Sequence, residues 1–192
     1  MMKQLTLLFF VLLTAASSLV GQEFPDMDKS PMDMAYYPQR AAFRNFADTD
    51  EEKMANMPVM RVIYSRPQKK DRNVFGELIK YGEMWRIGAN EATEIQFMQP
   101  VRIGDQLVPA GRYSLYAMVE EANWTIYLSL DLDGWGHYVF KPEESSIASI
   151  KVPVQKSEAT IEAMGILFEE AEDGAHMVIG WDDTVVRVPI KF

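Results

Sequence analysis

Short apolar runs with alternating polar residues, separated by Gly, Pro and Asp, fill the chain after Pro58. Alternation with a period of two is typical of β-strands that bury one face, and no sustained helical period competes with it. The runs occupy residues 59–65, 94–98, 101–108, 112–119, 124–130, 147–154, 160–168, 175–181 and 184–191. Strands at this spacing predict an all-β domain over residues 58–192, folded as an antiparallel β-sandwich or a jelly-roll-like barrel.

Turn residues refine this prediction at three places. Gly104-Asp105 predicts a two-residue turn within a β-hairpin over residues 101–108. Asp182-Asp183 predicts a tight turn between the last two strands. One short helix is expected from Gly76 to Tyr81, between the strand-like runs.

The N-terminus has the features of a signal peptide over residues 1–21. Lys3 supplies a basic start, Leu5 to Leu13 form an apolar run, and small residues follow. That run falls short of the roughly 20 residues that a spanning helix needs. We therefore predict export to the periplasm or beyond, without membrane insertion after cleavage. Residues 22–57 are predicted to be irregular, because three prolines interrupt them.

Composition excludes several classes of function. The chain has no cysteine, so disulfides and cysteine-ligated zinc are excluded. The formal net charge of −9 disfavours a nucleic-acid partner, because phosphate binding needs concentrated Lys and Arg. No motif in the sequence predicts a catalytic residue, a cofactor or a metal site.

Four short stretches resemble one known family. They are Tyr64-Ser65-Arg66-Pro67, Phe75-Gly76, the nine residues from Trp85 to Thr93 (WRIGANEAT), and Pro109 to Leu115 (PAGRYSL). In this order they resemble the family catalogued as domain of unknown function 2911, found in exported proteins of Gram-negative bacteria. The resemblance spans roughly residues 30–190 and implies an all-β domain without an assigned activity.

The segment from Trp85 to Thr93 is the strongest candidate for a binding site. It combines aromatic, charged and amide side chains around Gly88, which suits a sugar or peptide ligand. A forked guanidinium from Arg66 and the tryptophan of the Asp131–Gly136 turn are expected to contribute. The candidate ligand-binding residues are Arg66, Trp85, Arg86, Asn90, Glu91, Thr93 and Trp135.

Three functions remain open from the sequence. The first is an exported protein that binds a glycan, a peptide or another cell-envelope component. The second is a cell-envelope hydrolase that uses Glu91 with Arg66 or Arg86, and the third is a structural accessory domain without a small ligand. A purely structural interpretation of the segment also stands. In it, Trp85 fills the core, Arg86 or Arg66 pairs with Glu91, and Asn90 satisfies backbone groups of the loop.

Overall fold

A computed structural model describes residues 23–192 of the protein, so the predicted signal peptide lies outside the described residues. Two short α-helices, α1 (Asp50–Ala55) and α2 (Pro142–Ser145), and a 3-10 helix (Ala41–Phe46) accompany the strands. No helix within residues 23–192 is long and apolar enough to cross a membrane. The strands are β1 (Met32–Tyr37), β2 (Met60–Ser65), β3 (Glu83–Trp85), β4 (Thr93–Phe97), β5 (Val101–Ile103), β6 (Gln106–Val108), β7 (Gly111–Val119), β8 (Asn123–Ser129), β9 (Ser146–Ala171) and β10 (Gly174–Lys191).

All strands belong to one antiparallel sheet with the order β1-β2-β4-β7-β8-β9-β10-β5-β6, and β3 pairs with β7. The predicted all-β class and the antiparallel pairing are confirmed. The alternation predicted from sequence is visible in burial, as in β4, where buried and half-buried residues alternate strictly.

Strand β9 carries the sheet from one half of the molecule to the other. Its first part, up to Pro153, pairs with β8, and the part from Val154 onward pairs with β10. The sheet then folds back on itself and brings β9 against β2. At this contact the Tyr64 hydroxyl donates to the carbonyl of Ile166 at 3.2 Å. The amide of Met164 also donates to the carbonyl of Pro67 at 3.0 Å. Both halves therefore bury their inner faces in a single hydrophobic core.

Four aromatic rings occupy one end of this core. Trp85 from β3, Trp124 from β8 and Trp181 from β10 gather around Phe75, with centroids 5.0 to 6.3 Å apart. Large aromatic side chains add substantial burial and favourable edge-to-face contacts. This cluster forms the floor beneath the candidate site described below.

Local predictions had mixed outcomes. The hairpin of β5 and β6 with its Gly104-Asp105 turn is confirmed. The helix predicted from Gly76 to Tyr81 is wrong, because Gly76 takes a φ of +95° and its amide donates to the carbonyl of Ile79, which makes a turn.

The tight turn predicted at Asp182-Asp183 is also wrong. Strand β10 runs through both residues, and the pairing with β9 shifts register on either side of Asp182. Asp182 has a φ of +56°, so the aspartates form an irregularity of the bulge type within one long strand. Strand β1 was not predicted; it lies in the N-terminal segment and pairs with β2 over its whole length.

Candidate functional site

A seven-residue loop, residues 86–92, connects β3 and β4, which pair with the same side of β7. Trp85 of β3 lies opposite Ala117 of β7, and Thr93 of β4 lies opposite Leu115, two positions along the same strand. The loop is closed at its base, where the amide of Thr93 donates to the carbonyl of Arg86 at 3.1 Å. Strands β3 and β4 therefore fix both ends of the loop against β7.

Side chains from the core hold the interior of this loop. The Thr93 hydroxyl donates to the carbonyl of Ile87, which has a φ of +54°. The Ser65 hydroxyl accepts the amide of Ala89 at 2.8 Å and also contacts the carbonyl of that residue. Side chains of β2 and β4 thus bond backbone groups of Ile87 and Ala89 and fix the loop on the sheet.

A second segment, residues 131–140, packs beside the loop. The amide of Gly136 donates to the carbonyl of Asn90 at 2.8 Å, and the amide of Ala92 donates to the carbonyl of Gly134 at 3.0 Å. At the end of the segment, Phe140 stacks on Tyr116 of β7 with centroids 4.0 Å apart and an interplanar angle of 10°. Backbone pairing at one end and ring stacking at the other fix the segment on the sheet.

This anchoring presents two aromatic rings to solvent. Trp135 is 62% exposed and Tyr138 is 72% exposed, and their rings lie 6.2 Å apart at an angle of 27°. Gly136 has a φ of +82°, and a Cβ there would collide with the Tyr138 ring, so the geometry requires glycine. We call Trp135 and Tyr138 the aromatic shelf.

Two polar side chains lie at the inner margin of the aromatic shelf. The guanidinium carbon of Arg86 lies 5.9 Å from the centroid of the Trp135 ring, within cation–π range. The His137 ring lies 5.0 Å from the Tyr138 ring. Arg86 Nε and His137 Nδ1 are buried, and neither has a hydrogen-bond partner within residues 23–192. Buried polar atoms usually have partners, so both atoms offer unused hydrogen-bonding capacity.

Burial shifts the titration of both groups. It lowers the pKa of Arg86 from its usual 12.5, partly offset by Tyr138. It also lowers the pKa of His137 from its usual 6.5, and the neighbouring charge of Arg86 lowers that pKa further, whereas Glu83 raises it. Arg86 therefore remains a cation at neutral pH, while His137 is mainly neutral there.

Arg86 and His137 line a cleft of about 300 Å³ next to the aromatic shelf. Its floor comes from Trp85 and Trp181 of the aromatic core, and Glu83 lies on its rim. Gly88 lines the same cleft and takes part in the close packing of the loop, since a Cβ there would lie 3.0 Å from the Ser65 hydroxyl. An apolar floor with a few polar groups converging on it is the usual composition of a small-ligand site.

Comparison with family models gives one match, over residues 47–190, to a protein family of unknown function, DUF2911. The chain belongs to this family. This confirms the family resemblance carried by the WRIGANEAT segment, all of which lies inside the matched region. Searches of curated proteins and of solved structures found no significant match to this DUF2911 chain.

The structure brings two of the candidate residues, Arg86 and Trp135, into direct contact. Trp85 is 4% exposed, packs in the aromatic core, and donates its Nε1 hydrogen to the carbonyl of Gly88 at 3.1 Å. Asn90 has a φ of +60° and Thr93 is buried, and both support the loop through the bonds described above. Trp85 thus fills the core, as the structural interpretation of this segment expected. Asn90 contributes its backbone carbonyl, which accepts the amide of Gly136. The pair of Glu91 with Arg66 or Arg86, which that interpretation also expected, is not formed within residues 23–192.

Arg66 and Glu91 are not brought into the cleft. Arg66 pairs with Asp33 of β1 at 2.9 Å and donates to the carbonyl of Met164 at 3.0 Å, so it joins β1 to β9. Glu91 is exposed and lines a separate cleft of about 290 Å³ together with Asp133. No group of three or more His, Cys, Asp or Glu residues between positions 23 and 192 is placed to hold a metal ion.

His137 and Tyr138 were missed as ligand-binding candidates. A usable signal exists in the sequence, because Trp135 to Val139 reads WGHYV, an aromatic-rich run that follows the turn residues Asp133 and Gly134. Such a run in a turn lacks the alternation of a buried strand, which indicates that part of it faces solvent.

Proposed function

We propose that the protein is exported and binds a glycan on the aromatic shelf. The observation that carries this proposal is the pair of exposed, nearly parallel rings of Trp135 and Tyr138, 6.2 Å apart on an anchored segment. An exposed aromatic pair held in fixed geometry is costly in water unless a partner covers it, and such patches mark interaction sites.

A glycan suits the shelf better than the alternatives do. A sugar ring has an apolar face that can lie on an aromatic ring and hydroxyl groups at its edge that need hydrogen-bond partners. The half-buried side chains of Arg86 and His137 place a guanidinium and an imidazole at the margin of the shelf, near such hydroxyl groups. A peptide ligand would benefit from a free strand edge beside the rings, but β7 already pairs with β3, β4 and β8.

Two other candidate functions have less support. A hydrolase using Glu91 with Arg66 or Arg86 would need these groups in one cleft, whereas Glu91 lines a different one and Arg66 is paired with Asp33. An accessory domain without a ligand gives no reason for a rigid aromatic shelf beside two buried, unsatisfied nitrogen atoms.

Export is supported by the signal-peptide features of residues 1–21. Expression of the full chain in a Gram-negative host, followed by fractionation, tests this part. A processed protein outside the cytosol is expected, and an unprocessed protein in the cytosol would contradict it.

Binding is tested with the purified domain on an array of immobilised oligosaccharides, followed by calorimetry with the best ligand. We expect Trp135→Ala to weaken binding by roughly tenfold or more, the equivalent of about 1.4 kcal/mol for one lost ring contact. The matched control is Phe46→Ala, which removes a 79% exposed ring from the end of the 3-10 helix.

The control should bind as the wild type does, and both variants should keep the wild-type circular dichroism spectrum, because both rings are largely exposed. An array on which no oligosaccharide binds would refute the glycan proposal. Equal affinity of Trp135→Ala and the wild type for the same ligand would refute the role of the shelf.

A further inference from the structure

We propose that the glycan is acidic, and that the cleft beside the aromatic shelf receives the anionic group of one of its sugars on Arg86. This inference rests on the proposed glycan binding and names the chemistry of the ligand. The shared chemistry is an oxyanion carried by a sugar ring, as in a uronate carboxylate or a sulfate ester.

The first argument is that Arg86 has no anionic partner. Three other arginines face carboxylates: Arg66 pairs with Asp33, Arg112 with Glu94, and Arg187 with Glu169, at distances of 2.6 to 2.9 Å. Within residues 23–192, Arg86 takes part in no salt bridge, although it is half-buried. A half-buried guanidinium without a carboxylate partner gains charge compensation and hydrogen bonds from an oxyanion.

The second argument is the charge of the cleft. Its charged lining residues are Arg72, Arg86 and Glu83, so it carries a local positive excess in a chain of net charge −9. The Arg72 guanidinium is already engaged, since it donates to the carbonyls of Lys69 and Gln68 at 3.0 and 2.6 Å. Arg86 is the arginine of the cleft that also contacts the aromatic shelf, so we assign the anion to it.

The third argument concerns size and position. A cleft of about 300 Å³ is at the lower end of the range for small-ligand sites, which fits one sugar unit. Arg86 lies between the cleft and the shelf, because it lines the first and contacts the Trp135 ring of the second. An oligosaccharide can thus place one anionic sugar in the cleft while its neighbour covers the exposed ring.

His137 gives the proposal a pH-dependent readout. The groups that act on it are Arg86, which disfavours its protonation, and Glu83, which favours it. An anion bound in the cleft would offset the effect of Arg86 and favour the protonated imidazole, so binding takes up a proton. Affinity for an acidic glycan is therefore expected to rise as the pH falls through the pKa of His137 in the complex.

The experiment uses an array that carries uronate-containing, sulfated and neutral oligosaccharides, and then calorimetry with the best acidic ligand and with a neutral analogue of the same sugar backbone. We expect the acidic ligands to bind roughly tenfold or more tightly than their neutral analogues. Arg86→Gln should remove most of this difference, because it weakens the acidic ligand by a larger factor than the neutral analogue, and Arg86→Lys should retain part of it. Arg102→Gln, at an exposed arginine of β5 away from the cleft, is the matched control and should bind as the wild type does.

The outcomes separate this inference from the proposed function. If only neutral oligosaccharides bind, and Trp135→Ala still weakens them, the glycan proposal stands and the acidic ligand is refuted. Equal affinity of Arg86→Gln and the wild type for the acidic ligand would also refute it. Preference for uronates or for sulfate esters identifies the source of the anion, and an array without any binding refutes both proposals.

Discussion

At the scale of single residues, His137 links the candidate site to the stability of the fold. Burial and the charge of Arg86 hold the pKa of His137 below its usual 6.5, with Glu83 acting in the opposite direction. The unfolded chain therefore takes up this proton at a higher pH than the folded chain does. The stabilising contribution is present above about pH 6.5 and is lost as the pH falls through the folded-state pKa.

We predict that the free energy of unfolding, measured by urea denaturation, decreases between about pH 7 and pH 5, and that His137→Gln reduces this decrease. His176→Gln is the matched control and should leave the decrease unchanged. Asp173 and Asp183 do not confuse the measurement, because hydrogen bonds to lysines lower their pKa values from 3.8 and their effects fall at more acid pH. A pH dependence identical in His137→Gln and the wild type would contradict the prediction.

At the scale of secondary-structure elements, the irregularity at Asp182 ties β10 to the connection between β2 and β3. The Asp182 carboxylate accepts the amide of Val74 at 3.2 Å and lies 3.3 Å from the Lys69 ammonium group. Both charged side chains are largely buried, so this pair is screened less by solvent than the other lysine pairs of the molecule. The bulge thereby directs one side chain out of β10 to hold a long connection against the sheet.

We predict that Asp182→Ala lowers the free energy of unfolding by about 2–4 kcal/mol. The substitution leaves the Val74 amide without its acceptor. It also places alanine, which has no polar side chain to stabilise this conformation, at a positive φ. Asp182→Asn should cost less, since asparagine tolerates this φ and its amide oxygen can still accept from Val74. Urea denaturation measures both.

The neighbouring Asp183→Ala is the control for this prediction. Asp183 pairs with Lys156 at 2.6 Å, but both side chains are more than half exposed, so the loss should stay within about 1 kcal/mol. An equal loss in the free energy of unfolding for Asp182→Ala and Asp183→Ala would show that the contacts of Asp182 add nothing to stability.

Comparison of these elements with the sequence shows which information is local. The β5–β6 hairpin was predictable, because alternation and the Gly104-Asp105 turn lie within eight residues. The aspartates at 182 and 183 have the local chemistry of a turn. Distant contacts, namely the pairing with β9 and the contacts of Asp182 with Lys69 and Val74, hold this stretch within β10 instead. The same limit applied between Gly76 and Tyr81, where long-range packing overrides a weak helical preference.

The candidate site has the same division between local and distant information. The sequence identified the 85–93 loop by its composition. It did not show which tryptophan is buried and which is exposed, since Trp85 and Trp135 both stand near glycines. Arg86 and Trp135 are 49 positions apart and meet because Asn90 bonds to Gly136. A contact between residues this far apart leaves no periodic pattern in a short stretch of sequence.

At the scale of the whole molecule, the sheet and its core form one cooperative unit. Strand β9 pairs with β8 at one end and with β10 at the other, so neither half has a complete set of strand partners without it. Trp85, Trp124 and Trp181 come from different parts of the sheet and pack in one cluster. Loss of either half would therefore expose the inner face of the other.

We predict that the domain unfolds in a single transition, and the tryptophans provide the test. The chain has four tryptophans, and Trp135→Phe leaves three, all of them buried in the shared core. In this variant, tryptophan fluorescence reports on core packing and far-ultraviolet circular dichroism reports on the sheet. Because β9 joins both halves around that core, the two signals should give the same urea midpoint. Separate midpoints would mean that part of the sheet survives without the core, which the pairing of β9 with β8 and β10 argues against.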